Sequence, residues 1–210
     1  MSVPPVHLCG HRIDQARHVC AFFQSKEEEY NIIGPFVKEG LAQKERVVQI
    51  MNGATRADHD ARMARHGVDV AKAEAGGQLS VLRWEDAYLQ DGYFDQDRML
   101  ALLQGALKDR RERGFPLLRA MGNMDWALQG RPGTEQLLEY ETRVSQISAS
   151  HPDVFICLYD MNKFPASLVV DVLRTHPAAI IGGVYHENPF FVPPEQMLQE
   201  LVARGKAKRA

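Results

Sequence analysis

Six short, almost unbroken apolar runs constrain what this chain can fold into: residues 17–23 (RHVCAFF), 46–51 (RVVQIM), 79–84 (LSVLRW), 116–121 (PLLRAM), 153–159 (DVFICLY) and 178–184 (AAIIGGV). Runs that stay apolar for this length without alternating read as strands buried on both faces. Between them lie segments with the helical period, over 26–41, 55–66, 95–113, 133–148 and 164–176, and a last one over 195–204 closes the chain. Strand and helix in alternation predict an α/β fold with a largely parallel sheet covered by helices on both faces. With 210 residues, 45% of them hydrophobic, one core can be enclosed. No repeat or linker divides the chain, so residues 1–16 read as an N-terminal arm and 17–205 as a single domain.

In such a fold, ligands bind where strands end and helices begin. After HVCAFF the chain carries Ser25, Lys26, Glu27, Glu28 and Glu29. A nucleotide site would place a glycine-rich loop and a lysine here, so that backbone N–H groups and an ammonium surround phosphates. Three carboxylates suit the positive end of the helix dipole but repel a triphosphate, and the expectation is a fold without ATP hydrolysis. The formal charge of -2 and pI near 6.4 give no electrostatic footprint for direct nucleic-acid or membrane binding. No apolar run approaches a membrane span, and the first fourteen residues lack a signal-peptide core. Cytoplasm is the default, where three cysteines are reduced thiols.

Along the chain, the arm carries His7, Cys9 and His11, a spacing that could hold a soft metal but leaves its shell incomplete. It reads as short, irregular and loosely packed. Gly34 and Pro35 predict a kink or restart in the first helix. Gly67 stops the second helix, and Asp95 caps the helix that follows an aromatic loop containing Tyr88, Tyr93 and Phe94.

Period two puts His18, Cys20 and Phe22 on one strand face, and Phe155, Cys157 and Tyr159 on one face of another. If those strands are neighbours, the two thiols approach across one pocket. Tyr88, Trp126, Phe22 and Tyr159 would wall that pocket at the C-terminal edge of the sheet. Glu141 shares a helical stripe with Leu137, Val144 and Ser148, so its carboxylate points toward the sheet and needs a partner, for which Arg119 is the natural choice. His176 ends its helix, where it could cap the carbonyls or fold back toward the pocket. Plainer readings stand beside these. A buried cysteine is often a small core residue, and Glu141 could be half of a structural ion pair.

The ordered set HVCAFF with EEEY and PFVKEGL, then GQL, WEDAYLQDGYF, MDWAL, YE, CLYD and RTHP with ENPFFVPP resembles the MEDS family, the DcmR-like sensory domains of methanogens and methylotrophs. The resemblance covers nearly the whole chain after Ala16. It implies a RecA/KaiC-like fold lacking the phosphate-binding loop and a bacterial or other prokaryotic signal-transduction role. The implied ligand is a small apolar, one-carbon or hydrocarbon-derived compound, contacted by the family's His and Cys positions, here His18, Cys20, Cys157 and His176. A histidine kinase or transcription regulator is the downstream partner class it implies. The full set of ligand-binding candidates is therefore His18, Cys20, Phe22, Tyr88, Trp126, Glu141, Cys157, Tyr159 and His176. No motif assigns a cofactor, a metal or a catalytic reaction. Two other classes remain open, a cysteine/histidine-based enzyme or metal-binding protein acting on a small molecule, and a degenerate ATPase-like subunit assembling as a homo-oligomer.

Overall fold

The computed structural model describes residues 5–14 and 17–207. The chain opens with β1 (Val6–Leu8) and β2 (His11–Ile13), then β3 (His18–Phe23), α1 (Lys26–Ala42) and β4 (Arg46–Met51). Next come α2 (Arg56–Arg65), α3 (Val70–Ala75), β5 (Leu79–Arg83), α4 (Gln96–Glu112) and β6 (Leu118–Asn123). The chain ends with α5 (Leu137–Ser148), β7 (Val154–Asp160), α6 (Ala166–Thr175), β8 (Ala178–Ile181), β9 (Val184–Glu187) and α7 (Pro194–Ala207). Strands β3 to β9 form one seven-stranded sheet in the order β5-β4-β6-β7-β3-β8-β9, parallel except for β9.

Each central strand is buried on both sides, and the period of two divides its side chains cleanly. Val19, Ala21 and Phe23 of β3, with Val154, Ile156 and Leu158 of β7, pack against α1 and its neighbours α2 and α3. Cys20 and Phe22, with Phe155, Cys157 and Tyr159, pack in the second core under α4, α5 and α6. Fully burying one large aromatic such as Trp126, which has no exposed surface, removes 150–250 Å² of it from water, worth about 4–6 kcal/mol before entropy is counted.

Four expectations are corrected. The arm is not irregular, because β1 and β2 pair antiparallel through Cys9 and Gly10, both at positive φ (51° and 75°). It is not loosely packed, since Val6, Leu8 and Ile13 are buried in the α1-side core. Helix α1 runs through Pro35 as one element without a restart. The run at 178–184 is not one strand: Gly182 and Gly183, at φ 58° and 73°, turn it into the β8–β9 hairpin. That two-residue left-handed turn matches the twist of an antiparallel pair.

The fourth correction concerns Glu141. Arg119 shares the face of Leu117 and Met121, which belong to the α1-side core, whereas Glu141 projects from α5 on the other side. The guanidinium instead bonds Glu45 Oε2 at 2.5 Å and the Phe36 carbonyl at 2.8 Å, with Glu39 Oε2 2.8 Å away. Parity along β6 decides this, since position 119 cannot face α5 while 118 and 120 do.

Candidate functional site

The β3–β7 parallel pair puts His18 beside Phe155 and Cys20 beside Cys157 in register. Above these strands α5 lowers Glu141 and Ser145, one turn apart, and the end of α6 brings His176 back over the sheet. The result is a fully buried polar cluster: His18, Glu141 and His176 have no exposed surface and Cys157 only 6%. Glu141 Oε2 lies 3.2 Å from His18 Nε2, 3.3 Å from Cys157 Sγ and 3.5 Å from His176 Nε2. Cys157 Sγ is 3.5 Å from His18 Nε2, and Tyr159 donates its hydroxyl to Glu141 Oε1 at 2.5 Å.

Both imidazole tautomers follow from their outer partners. Ser145 Oγ donates to the Thr175 carbonyl at 2.6 Å, so at 2.8 Å it accepts from His18 Nδ1. His176 Nδ1 lies 2.9 Å from the Val172 carbonyl, which can only accept. Each ring therefore carries its proton on Nδ1 and turns the bare Nε2 lone pair inward. Burial holds both histidines neutral, with pKa values pushed down to about 3, His176 further lowered by His18 beside it. Burial first, then the adjacent Glu141, pushes the Cys157 thiol and the Tyr159 phenol well above their ordinary ranges. His176 is the extended residue that follows the end of α6, yet as a neutral, enclosed group it cannot serve as the imidazolium that complements a helix dipole.

Aromatic groups adjoin this cluster. Tyr88 stacks on Trp126 with centroids 4.7 Å apart, Phe94 lies 4.3 Å from Trp126, and Tyr140 meets Tyr88 edge-on. Gly122, the register partner of Cys157, admits the Tyr88 hydroxyl where any Cβ would collide with it. Trp126 Nε1 is buried with no protein acceptor. Phe22 packs on Tyr159 at 5.9 Å. Cys20 shares the cluster's sheet face, but its Sγ is directed to the Ala178 carbonyl at 3.6 Å.

The sequence thus named as candidates the five members of the polar cluster and, of the aromatics beside it, Phe22, Tyr88 and Trp126 but not Phe94 or Tyr140, and their location differs from the one expected. The polar members lie enclosed between the sheet and helices α5 and α6, not in an opening at the C-terminal edge of the sheet. That edge holds a cavity of about 100 Å³ on the α1 side, lined by polar groups including Lys26, Glu29, Asn123, Asp125 and Lys163 and by none of the nine candidates. Its charges satisfy one another: Lys26 bonds Glu29 at 2.6 Å and Lys163 bonds Asp125 at 2.5 Å. The arm's histidines are apart, His7 bonded to Glu39 and His11 stacked on Tyr185. Ser145 was missed, although its position four residues after Glu141 puts it on the same helical stripe. It also reaches a surface groove of about 730 Å³ bordered by Arg17, Ser148, Pro177, Asn188 and Phe191, so one serine stands between solvent and His18.

The sequence model of the MEDS family, described as the methanogen/methylotroph DcmR sensory domain, matches residues 17–177. The chain belongs to the MEDS family. This MEDS chain is 26% identical over 174 residues to the transcriptional repressor DcmR of Methylorubrum extorquens, a match spanning 80% of the chain and 61% of that relative's length. Its fold is similar to a KaiC-like protein of Pyrococcus horikoshii OT3 (TM-score 0.54, 13% identity, 79% of this chain and 70% of that one). It is also similar to an uncharacterized protein of Pyrococcus horikoshii crystallised with an unknown peptide (TM-score 0.58, 15% identity, 81% of this chain and 78% of that one). At those identities the likeness establishes the RecA/KaiC-like fold alone. Family membership makes the domain a sensory one in signal transduction. Among the described residues, no helix is long and apolar enough to cross a membrane.

Proposed function

We propose that the domain senses a small apolar or one-carbon, hydrocarbon-derived compound at the buried cluster and passes the signal to a transcription regulator or histidine kinase in the cytoplasm, without hydrolysing ATP. The observation carrying this reading is the convergence of His18, Glu141, Cys157 and His176 from four elements in a space closed to solvent beside aromatic rings. A small uncharged molecule entering past Ser145 would meet Tyr88 and Trp126 on one side and polar atoms on the other. The repressor among its relatives supports a transcriptional output.

Two features weigh against the alternatives. An activated cysteine nucleophile needs a lowered pKa, and the Cys157 thiol is pushed the other way. A nucleotide-driven subunit needs a free helix N-terminus after β3. Here Ser25 accepts from Glu28 N at 3.1 Å, and the Glu28 carboxylate folds back onto Gln24 N at 2.8 Å.

At the best ligand efficiency, about -1.5 kcal/mol per heavy atom, a three-atom ligand gains no more than about -4.5 kcal/mol, a roughly millimolar Kd. Titration with methanol, halomethanes and propane, followed by tryptophan fluorescence and thermal shift, should therefore reveal saturable binding in the millimolar range. Trp126→Phe and Cys157→Ser should each weaken it. The reading fails if no compound binds, or if both variants bind with unchanged Kd.

A further inference from the structure

Among the buried groups the sensory reading calls on, four have a chemistry that a small apolar ligand does not satisfy. Each presents a lone pair to one point: Nε2 of His18, Nε2 of His176, an oxygen of Glu141 and Sγ of Cys157, all mutually within 4.8 Å. Few protons are available to hold them together. Both Nε2 atoms are bare because Ser145 and the Val172 carbonyl fix the protons on Nδ1. The thiol has one proton to give, and the Tyr159 hydroxyl is spent on the outer carboxylate oxygen. A proton on the inner oxygen of Glu141 could satisfy one imidazole but not both. His176 Nε2 is left with no partner at full burial, which is unfavourable for a desolvated acceptor.

A divalent cation resolves all four at once. Tetrahedral zinc bound by nitrogen and oxygen at about 2.0–2.2 Å and by sulfur at about 2.3 Å requires ligand atoms about 3.3–3.6 Å apart. Four of the six edges are 3.2, 3.3, 3.5 and 3.5 Å, and the four residues' donor atoms all lie within 4.8 Å of one another. Outer hydrogen bonds that fix ligand orientation are those a metal site needs, with Ser145 and the Val172 carbonyl behind the histidines and Tyr159 behind the carboxylate. Nitrogen, sulfur and carboxylate donors together select a borderline ion such as Zn²⁺ over Mg²⁺ or Ca²⁺.

The geometry points to a His18–Glu141–Cys157–His176 site for one tetrahedral divalent ion of the zinc class. It rests on the same buried cluster as the sensory reading; with four protein donors the coordination shell is closed, and the ion fixes these side chains beside the aromatic rings. Binding proceeds with loss of the thiol proton to solvent.

The test uses the full chain with no small-molecule ligand added, so its result is independent of the titration above. Metal content is measured on protein as purified and after stripping with a chelator and reloading with Co²⁺. About one equivalent per chain is expected, with visible bands of tetrahedral cobalt and a thiolate charge-transfer band. Cys157→Ser should abolish the charge-transfer band, His176→Ala should weaken Co²⁺ binding at least about tenfold, and Cys9→Ala, in the distant β1–β2 turn, should leave both unchanged. Circular dichroism confirms folding of each variant. Folded wild-type protein that takes up no Zn²⁺ or Co²⁺, or stoichiometric metal retained equally in both ligand variants, overturns the assignment.

Discussion

Arg119 and Glu141 lie on opposite faces of one sheet, each without exposed surface and each held by its own partners. The guanidinium sits over the Phe36 ring at 4.4 Å and is committed to Glu45 and Glu39. Removing it strands the buried Glu45 carboxylate. Arg119→Leu should cost about 3–5 kcal/mol, with much of the loss recovered in the Arg119→Leu/Glu45→Leu double variant. Urea denaturation measures both, and additive losses in the double variant would contradict a pairwise origin.

The three thiols differ in access. Cys9 is half-buried in the β1–β2 turn, while Cys20 and Cys157 are enclosed and all three are free. A thiol reagent applied to native protein should modify Cys9 first, with the other two reacting only on unfolding. Rapid modification of Cys157 would mean that the cluster opens without unfolding.

Nucleotide binding should be absent. Only Gln24 and Ser25 connect β3 to α1; Ser25 Oγ accepts from the Glu28 amide in the first turn of that helix, and the Glu28 carboxylate accepts from Gln24 N just before it. Calorimetry with ATP and Mg²⁺ should give no heat of binding; micromolar affinity would refute the prediction.

His59 supplies a pH dependence from the other side of the sheet. It is buried against the Tyr30 hydroxyl at 2.9 Å, and burial lowers its pKa to about 4. Between that value and about 6.5, the ordinary histidine value, the unfolded chain binds the extra proton and the folded chain does not. This contribution is complete above pH 6.5 and lost as pH falls toward 4, at most about 3 kcal/mol. His59→Gln should flatten the fall in unfolding free energy over that window relative to the unsubstituted protein. Parallel curves would show that His59 is not its source.

Periodicity explains why so much of the cluster could be read from the sequence. Alternation fixes His18 with Cys20 and Cys157 with Tyr159, and the stripe through Leu137 and Val144 turns Glu141 inward. The same rule gives no relative orientation between elements, so the partner of Glu141 depended on sheet order and on the parity of position 119. Likewise His176 could be placed at a helix end, but its contact with Glu141 requires β8 to lie beside β3. The hairpin at Cys9–Gly10 was hidden because a cysteine occupies a left-handed position usually held by Asn, Asp or Gly. That at Gly182–Gly183 carries the usual residues and was concealed by the apolar run around it.

Strand β3 is the first strand of the large sheet to be synthesised, yet its hydrogen-bonding neighbours are β7 and β8. The contact between His18 and Cys157 spans 139 positions of sequence. At a synthesis rate of about 5–20 residues per second, this leaves HVCAFF without its partners for roughly seven to thirty seconds. Strands β4, β5 and β6 pair among themselves and can close earlier. During translation, the segment that carries His18 and Cys20 is thus an unpaired apolar edge, and its protection until β7 emerges falls to the ribosome tunnel, to α1 and to chaperones.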